Sequence, residues 1–131
     1  MPTLTNRTYR TKKEKNDTKD RGYIKPKKYA KYYNSKQWKD LREWYRTKNM
    51  LCEICAKEGR SVPMDHVHHL HVWSAGKTQD EKWQLLLDPE NLCSLCTYHH
   101  LMTHKFLNSL GVTYLSVDEI VKLDSEEHDK L

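Results

Sequence analysis

The chain has 131 residues, 37% of them hydrophobic, with a formal net charge of +5 and a mean hydropathy of −0.97. That suffices for one small domain with tails and a thin core, which a metal staple would help to hold. Apolar runs stop at three residues, as in Leu85-Leu86-Leu87, so the expectation is no membrane partner, no signal peptide and a cytoplasmic location.

Charge is unevenly spread. Residues 1–31 hold eleven Lys/Arg against three acids, whereas residues 32–131 hold twelve against fifteen. Residues 1–30 read as a disordered basic arm in which Lys12, Lys13, Lys25, Lys27 and Lys28 attract nucleic acid through counterion release. A helix follows in "NSKQWKDLREWYRTKN": Ser35 is a good N-cap, and Trp38, Leu41 and Tyr45 fall on one face. Cys52 and Cys55 flank a tight turn closed by Gly59. Val62, Met64, Val67, Leu70 and Val72 suggest extended structure over 62–72, and residues 73–82 read as loop. "WQLLLDPEN" is a short apolar turn stopped by Asp88-Pro89, and "LCSL" is a short strand. Leu101, Met102 and Phe106 predict a helix from Tyr98 to about Leu110, ended by Gly111. A last small helix starts at Ser116 with Glu119 completing a capping box, and residues 125–131 read as a frayed tail.

Seven of the eight histidines lie between positions 66 and 104, and all four cysteines between 52 and 96. In a cytosolic chain, where thiolates bind metal more readily than they pair as disulfides, that clustering argues for metal. Cys52-x₂-Cys55 supplies two thiolates, and a tetrahedral site needs two more ligands. Cys93 with Cys96, or Cys96 with His99, would serve, and spacing alone does not choose. The neighbours favour the second set. Cys93 sits in an apolar strand between Leu92 and Ser94, whereas Cys96 and His99 fall at a strand-to-helix junction.

These segments resemble the HNH endonucleases, of the phage type. Cys52 and Cys55 match the family's first knuckle, and Asn91-Leu92-Cys93-Ser94-Leu95-Cys96-Thr97-Tyr98-His99-His100 matches its last motif, with His99 where a fourth cysteine is usual. The upstream "YNSKQWKDLR" resembles the opening of phage-type members. The resemblance spans about residues 33–105. It implies an α+β fold, a small ββα-metal core stapled by a structural zinc, with a flanking N-terminal helix. The domains are then a basic arm at 1–30, the nuclease domain at 31–110, and a short C-terminal helix with an acidic tail at 111–131.

By the same resemblance Cys52, Cys55, Cys96 and His99 are the zinc set, with Cys93 an alternative fourth ligand. His68 and His69 are the functional strand pair, with Asp65 and His66 as runners-up. His69 is then the general base, and Asn91 accepts from its ring to fix the tautomer. His68 and His100 hold a catalytic Mg²⁺, Mn²⁺ or Ni²⁺ ion. His71 and His104 find no matched role and read as surface or outer residues. The function implied is a metal-dependent DNA endonuclease or nickase that leaves 5′ phosphate and 3′ hydroxyl ends. It would be phage-encoded, act in the host cytoplasm, and have DNA and a terminase or packaging protein as partners. The alternative is a zinc-stapled nucleic-acid-binding module without chemistry.

Overall fold

The structure, a computed structural model, describes residues 27–129. Lys12, Lys13 and Lys25 of the basic arm lie outside the described residues. The chain divides after Ala30. Lys27 and Lys28 are exposed in a 3₁₀ turn, Lys27–Tyr29, ahead of that boundary.

The elements run α1 (Ala30–Tyr33), α2 (Lys36–Lys48), α3 (Glu53–Lys57), β1 (His66–His69), α4 (Gln79–Leu86), β2 (Leu92–Leu95), α5 (Thr97–Leu110) and α6 (Val117–Asp129). Ser35 caps α2 as expected, its hydroxyl accepting from the Trp38 N–H at 3.2 Å. Trp38 and Tyr45 of the apolar face are buried. The Tyr45 hydroxyl donates to Glu53 at 2.7 Å, and Glu53 also accepts the Ser94 N–H at 2.7 Å. One carboxylate at the head of α3 thereby ties α2 to β2.

Strands β1 and β2 pair antiparallel, with His66 opposite Leu95, His68 opposite Cys93 and His69 opposite Leu92. All of β2 is buried, so it reads as a continuous apolar run. The expected extended segment 62–72 is a strand only over His66–His69. Its flanks make isolated bridges instead, Leu51 with Pro63 and His71 with Tyr114. Pro63 lacks an N–H and keeps that stretch out of a regular ladder.

Helix α5 leaves β2 directly. Its N-cap, Cys96, makes no side-chain cap bond. Asp65, before β1, caps it from across the sheet, accepting the Thr97 N–H and hydroxyl at 3.0 Å each. Gly111 ends α5 in the left-handed region at φ 67°, which a side chain would strain.

Two expectations fail here. Residues 73–82, read as loop, contain the start of α4: Thr78 caps it through the Glu81 N–H at 3.1 Å, and Glu81 reaches back to the Thr78 hydroxyl. The polar tail does not fray at Ser125 but continues α6 to Asp129. Ile120 and Asp124, four residues apart on one face, are both fully buried. The core that α6 closes gathers Ile54, Leu95, Phe106, Leu107, Leu115 and Ile120 around the cysteines. Fully burying a side chain such as Leu95 or Ile120 is worth about 1.5–3 kcal/mol.

Candidate metal centres

The start of α3 and the β2–α5 junction bring Cys52, Cys55, Cys96 and His99 together, all four buried, with donor atoms within 4.8 Å of one another. His99 Nδ1 stands 3.6 Å from Cys52 Sγ, 3.4 Å from Cys55 Sγ and 3.3 Å from Cys96 Sγ. Cys55 and Cys96 Sγ are 3.9 Å apart. A tetrahedral zinc with ordinary bond lengths has edges of about 3.5 Å between sulfur and nitrogen and about 3.8 Å between sulfurs. Donor set and spacing both fit that ion. Cys93 is not in the group. Its thiol is buried within β2, and burial together with nearby Glu53 pushes its pKa upward, as suits an un-ionised packing residue.

Burial also pushes the Cys52 thiol up, but hydrogen bonds from His99 and the Cys55 N–H outweigh it and bring it down to about 6. The Cys55 thiol goes the other way, to about 12, through burial and the neighbouring Cys52 sulfur. One thiolate therefore forms readily, and the rest need a cation to offset their mutual repulsion.

The second cluster is made of imidazoles. His68 on β1 and His100 and His104, one turn apart on α5, offer nitrogens within 4.8 Å of one another. The His100 and His104 Nε2 atoms are 3.1 Å apart. Two nitrogens bound to one ion at about 2.1 Å lie about 3.0–3.4 Å apart, so this pair has chelate spacing. The His68 ring centroid is 5.7 Å from that of His100 and 5.3 Å from that of His104. His68 is 4% exposed, and its Nε2 is buried without a hydrogen-bond partner. A buried nitrogen without a hydrogen-bond partner beside two other imidazoles fits the role of a metal ligand. Burial, with the charges of His104, His69 and His66, lowers His68 to about 3, so it is neutral and able to ligate at physiological pH.

His104 is thus a member of the cluster, against the expectation of a surface or outer residue. The runner-up His66 stacks on His100 at 4.4 Å, and Asp65 is committed to capping α5.

His69 and Asn91 depart from the expected arrangement. The Asn91 side chain does not touch the His69 ring. Its Oδ1 accepts the His71 N–H at 2.8 Å, and its Nδ2 donates to the carbonyls of His71 and Leu85 at 3.0 Å each. Three backbone groups at the ends of the β1–β2 connection are stapled by one amide, which is the geometry a two-sided donor and acceptor is built for. His69 is held instead by the Leu86 carbonyl, 3.0 Å from Nε2, and by the Trp38 ring at 4.8 Å. Donation from Nε2 leaves the lone pair on Nδ1. Burial lowers His69 to about 4, partly offset by the Leu86 bond, rather than leaving it at the ordinary value. His68 and His69 alternate along the strand, yet the charge of His69 reaches His68.

Asp124 was not anticipated at all. Its Oδ2 lies 3.1 Å from His99 Nε2, on the side away from the sulfurs.

Two short antiparallel strands, a following helix, a thiolate-rich cluster and an imidazole cluster together define a ββα-metal fold. Two known proteins are similar to the chain. The chain is 29% identical over 85 residues to a probable HNH endonuclease of Lactococcus phage SK1, covering 63% of this chain and 85% of that protein. A crystal structure of the HNH endonuclease of deep-sea thermophilic bacteriophage GVE2 with manganese ion covers 76% of this chain and 97% of that one, at 22% identity and a TM-score of 0.49. No family model matches. The resemblance read from the motifs is borne out in that the chain is similar to a phage protein named a probable HNH endonuclease. Among the described residues no helix is long and apolar enough to cross a membrane.

Proposed function

We propose that the protein is a metal-dependent DNA endonuclease or nickase whose ion is held by His68, His100 and His104. The observation that carries this reading is the partnerless, buried Nε2 of His68 beside two imidazoles at chelate spacing. A non-catalytic binding module has no use for it. Likeness to a phage protein named as a probable HNH endonuclease supports the same assignment.

When bound, a divalent ion supplies Lewis-acid stabilisation of the scissile phosphate and its leaving oxygen. Burial keeps His68 and His104 neutral, so neither takes charge from that cation. A purely nitrogen set without carboxylate suits Ni²⁺ or Zn²⁺ better than Mg²⁺. His69 is the proposed base. Its Nε2–H is spent on the Leu86 carbonyl, so Nδ1 takes the proton from the attacking water. A phosphodiester anion next to it raises its proton affinity again. Asn91 acts on His69 only through the chain, by fixing the backbone of the connection that carries Leu85 and Leu86. The proposed products are a 5′ phosphate and a 3′ hydroxyl. Lys27 and Lys28, with Lys12, Lys13 and Lys25, are proposed to fasten the backbone phosphates of DNA. Likeness to a phage protein supports action in a host cytoplasm; a terminase or packaging protein is the proposed partner.

Nicking of supercoiled plasmid with Mn²⁺, Ni²⁺ or Mg²⁺ tests this directly. His69→Ala is expected to abolish cleavage while DNA binding persists. Equal cleavage by parent and variant removes His69 as the base.

A further inference from the structure

A carboxylate is buried against the back of the proposed zinc ligand. Asp124 is 0% exposed and His99 1% exposed. His99 Nδ1 faces three sulfurs at 3.3–3.6 Å, so its other nitrogen must carry the ring proton if Nδ1 is to ligate. That nitrogen, Nε2, lies 3.1 Å from Asp124 Oδ2. Glu58 is the other carboxylate nearby, but at 3.8 Å it is beyond hydrogen-bond range. The second oxygen of Asp124 receives the Tyr98 hydroxyl at 3.5 Å.

We infer that Asp124 is the positioning partner of His99: it accepts the Nε2–H, fixes the tautomer that presents Nδ1 to the metal, and makes α6 part of the metal site. The inference rests on the zinc reading of the Cys52, Cys55, Cys96 and His99 cluster. Charge makes the same point. Three thiolates and a neutral imidazole leave the filled site one negative charge short of four thiolates around the same ion. A carboxylate on the far side of the imidazole restores that charge through the ring and raises the basicity of the ligating nitrogen. His99 and Asp124 together therefore do the work of one cysteine. A residue 25 positions downstream and in another helix becomes necessary because the fourth ligand is a histidine. The helix that brings it is anchored by Ile120, four residues earlier and fully buried.

The test is a double-mutant cycle on zinc affinity, measured by competition with a chromophoric chelator on the full chain. Asp124→Ala is expected to weaken zinc binding about 10–100-fold in the parent, the usual cost of losing such a partner. In the His99→Cys background, where position 99 has no proton to donate, the same change is expected to cost nothing or to tighten binding. Asp124→Asn keeps the shape and an acceptor oxygen, so it should fold and lose less than Asp124→Ala. Substitution with Co²⁺ should give the visible bands of a three-sulfur, one-nitrogen site in the parent, shifting to four sulfurs with His99→Cys. Equal losses in both backgrounds would overturn the pairing and leave Asp124 a packing residue. A parent that binds no zinc would instead overturn the reading of the cluster itself, a separate outcome.

Discussion

The two clusters share helix α5 and differ in almost everything else. The thiolate cluster is closed. All four of its side chains are buried, and the outer nitrogen of His99 is taken by Asp124. The imidazole cluster is half open, with His100 and His104 partly exposed and His68 Nε2 left without a partner. A site whose every donor is engaged serves to hold a fold. On the proposed reading the imidazole cluster binds an ion that comes and goes. Adjacent residues, His99 and His100, fall one in each because successive positions on a helix are about 100° apart.

The sharpest way to break that contrast is to remove each metal in turn. Chelating the thiolate-bound zinc, or changing Cys55→Ala, is expected to abolish the cooperative thermal transition, since structural zinc contributes on the order of 10 kcal/mol in small domains. A transition that survives chelation contradicts the structural role. The opposite is expected at the second site. His68→Leu removes a buried nitrogen without a partner, whose presence costs about 1–3 kcal/mol. The zinc-loaded variant should therefore melt no lower than the parent while losing all cleavage. Lower melting with retained cleavage reverses the assignment.

A smaller effect separates His104 from a mere neighbour. His104→Ala should lower the affinity for Mn²⁺ or Ni²⁺ at least about 10–100-fold, the cost of losing even an outer partner of a metal ligand. Cleavage should recover as the ion concentration is raised; unchanged metal dependence would return His104 to the periphery.

The smallest expected effect is in pH. His68 and His69 lie at about 3 and about 4 in the folded protein, against an ordinary 6.5. The unfolded chain therefore binds more protons between those values. Stability of the zinc-loaded protein is full above about pH 6.5 and falls as the pH drops toward 4. His68→Leu should flatten that slope relative to the parent. An identical slope in the two proteins would mean that His68 does not titrate as its burial requires.

What the sequence allowed to be read follows from distance along the chain. Cys52 with Cys55, and Cys96 with His99, are each set by one turn, so local geometry makes them legible. His100 and His104 are four apart in a helix, a one-face signal legible in the sequence. Helix α4 carried its own start signal in Thr78 and Glu81, hidden among polar residues that resemble a loop. The partners of Asn91 are not legible in the sequence because a motif names a residue but not its partners. Those partners depend on where the chain passes at Leu85 and His71. Asp124 was invisible for the same reason, although an acid on the apolar face of Ile120 is a sign that something buried must meet it.

On the proposed reading one small chain holds two cation sites of different kinds. Anomalous diffraction from crystals of the full chain grown with one equivalent of Zn²⁺ and soaked in Mn²⁺ tests it most directly. The expected result is a zinc peak among Cys52, Cys55, Cys96 and His99, and a separate manganese peak among His68, His100 and His104. Manganese bound elsewhere, or a single peak shared by both ions, would contradict the account.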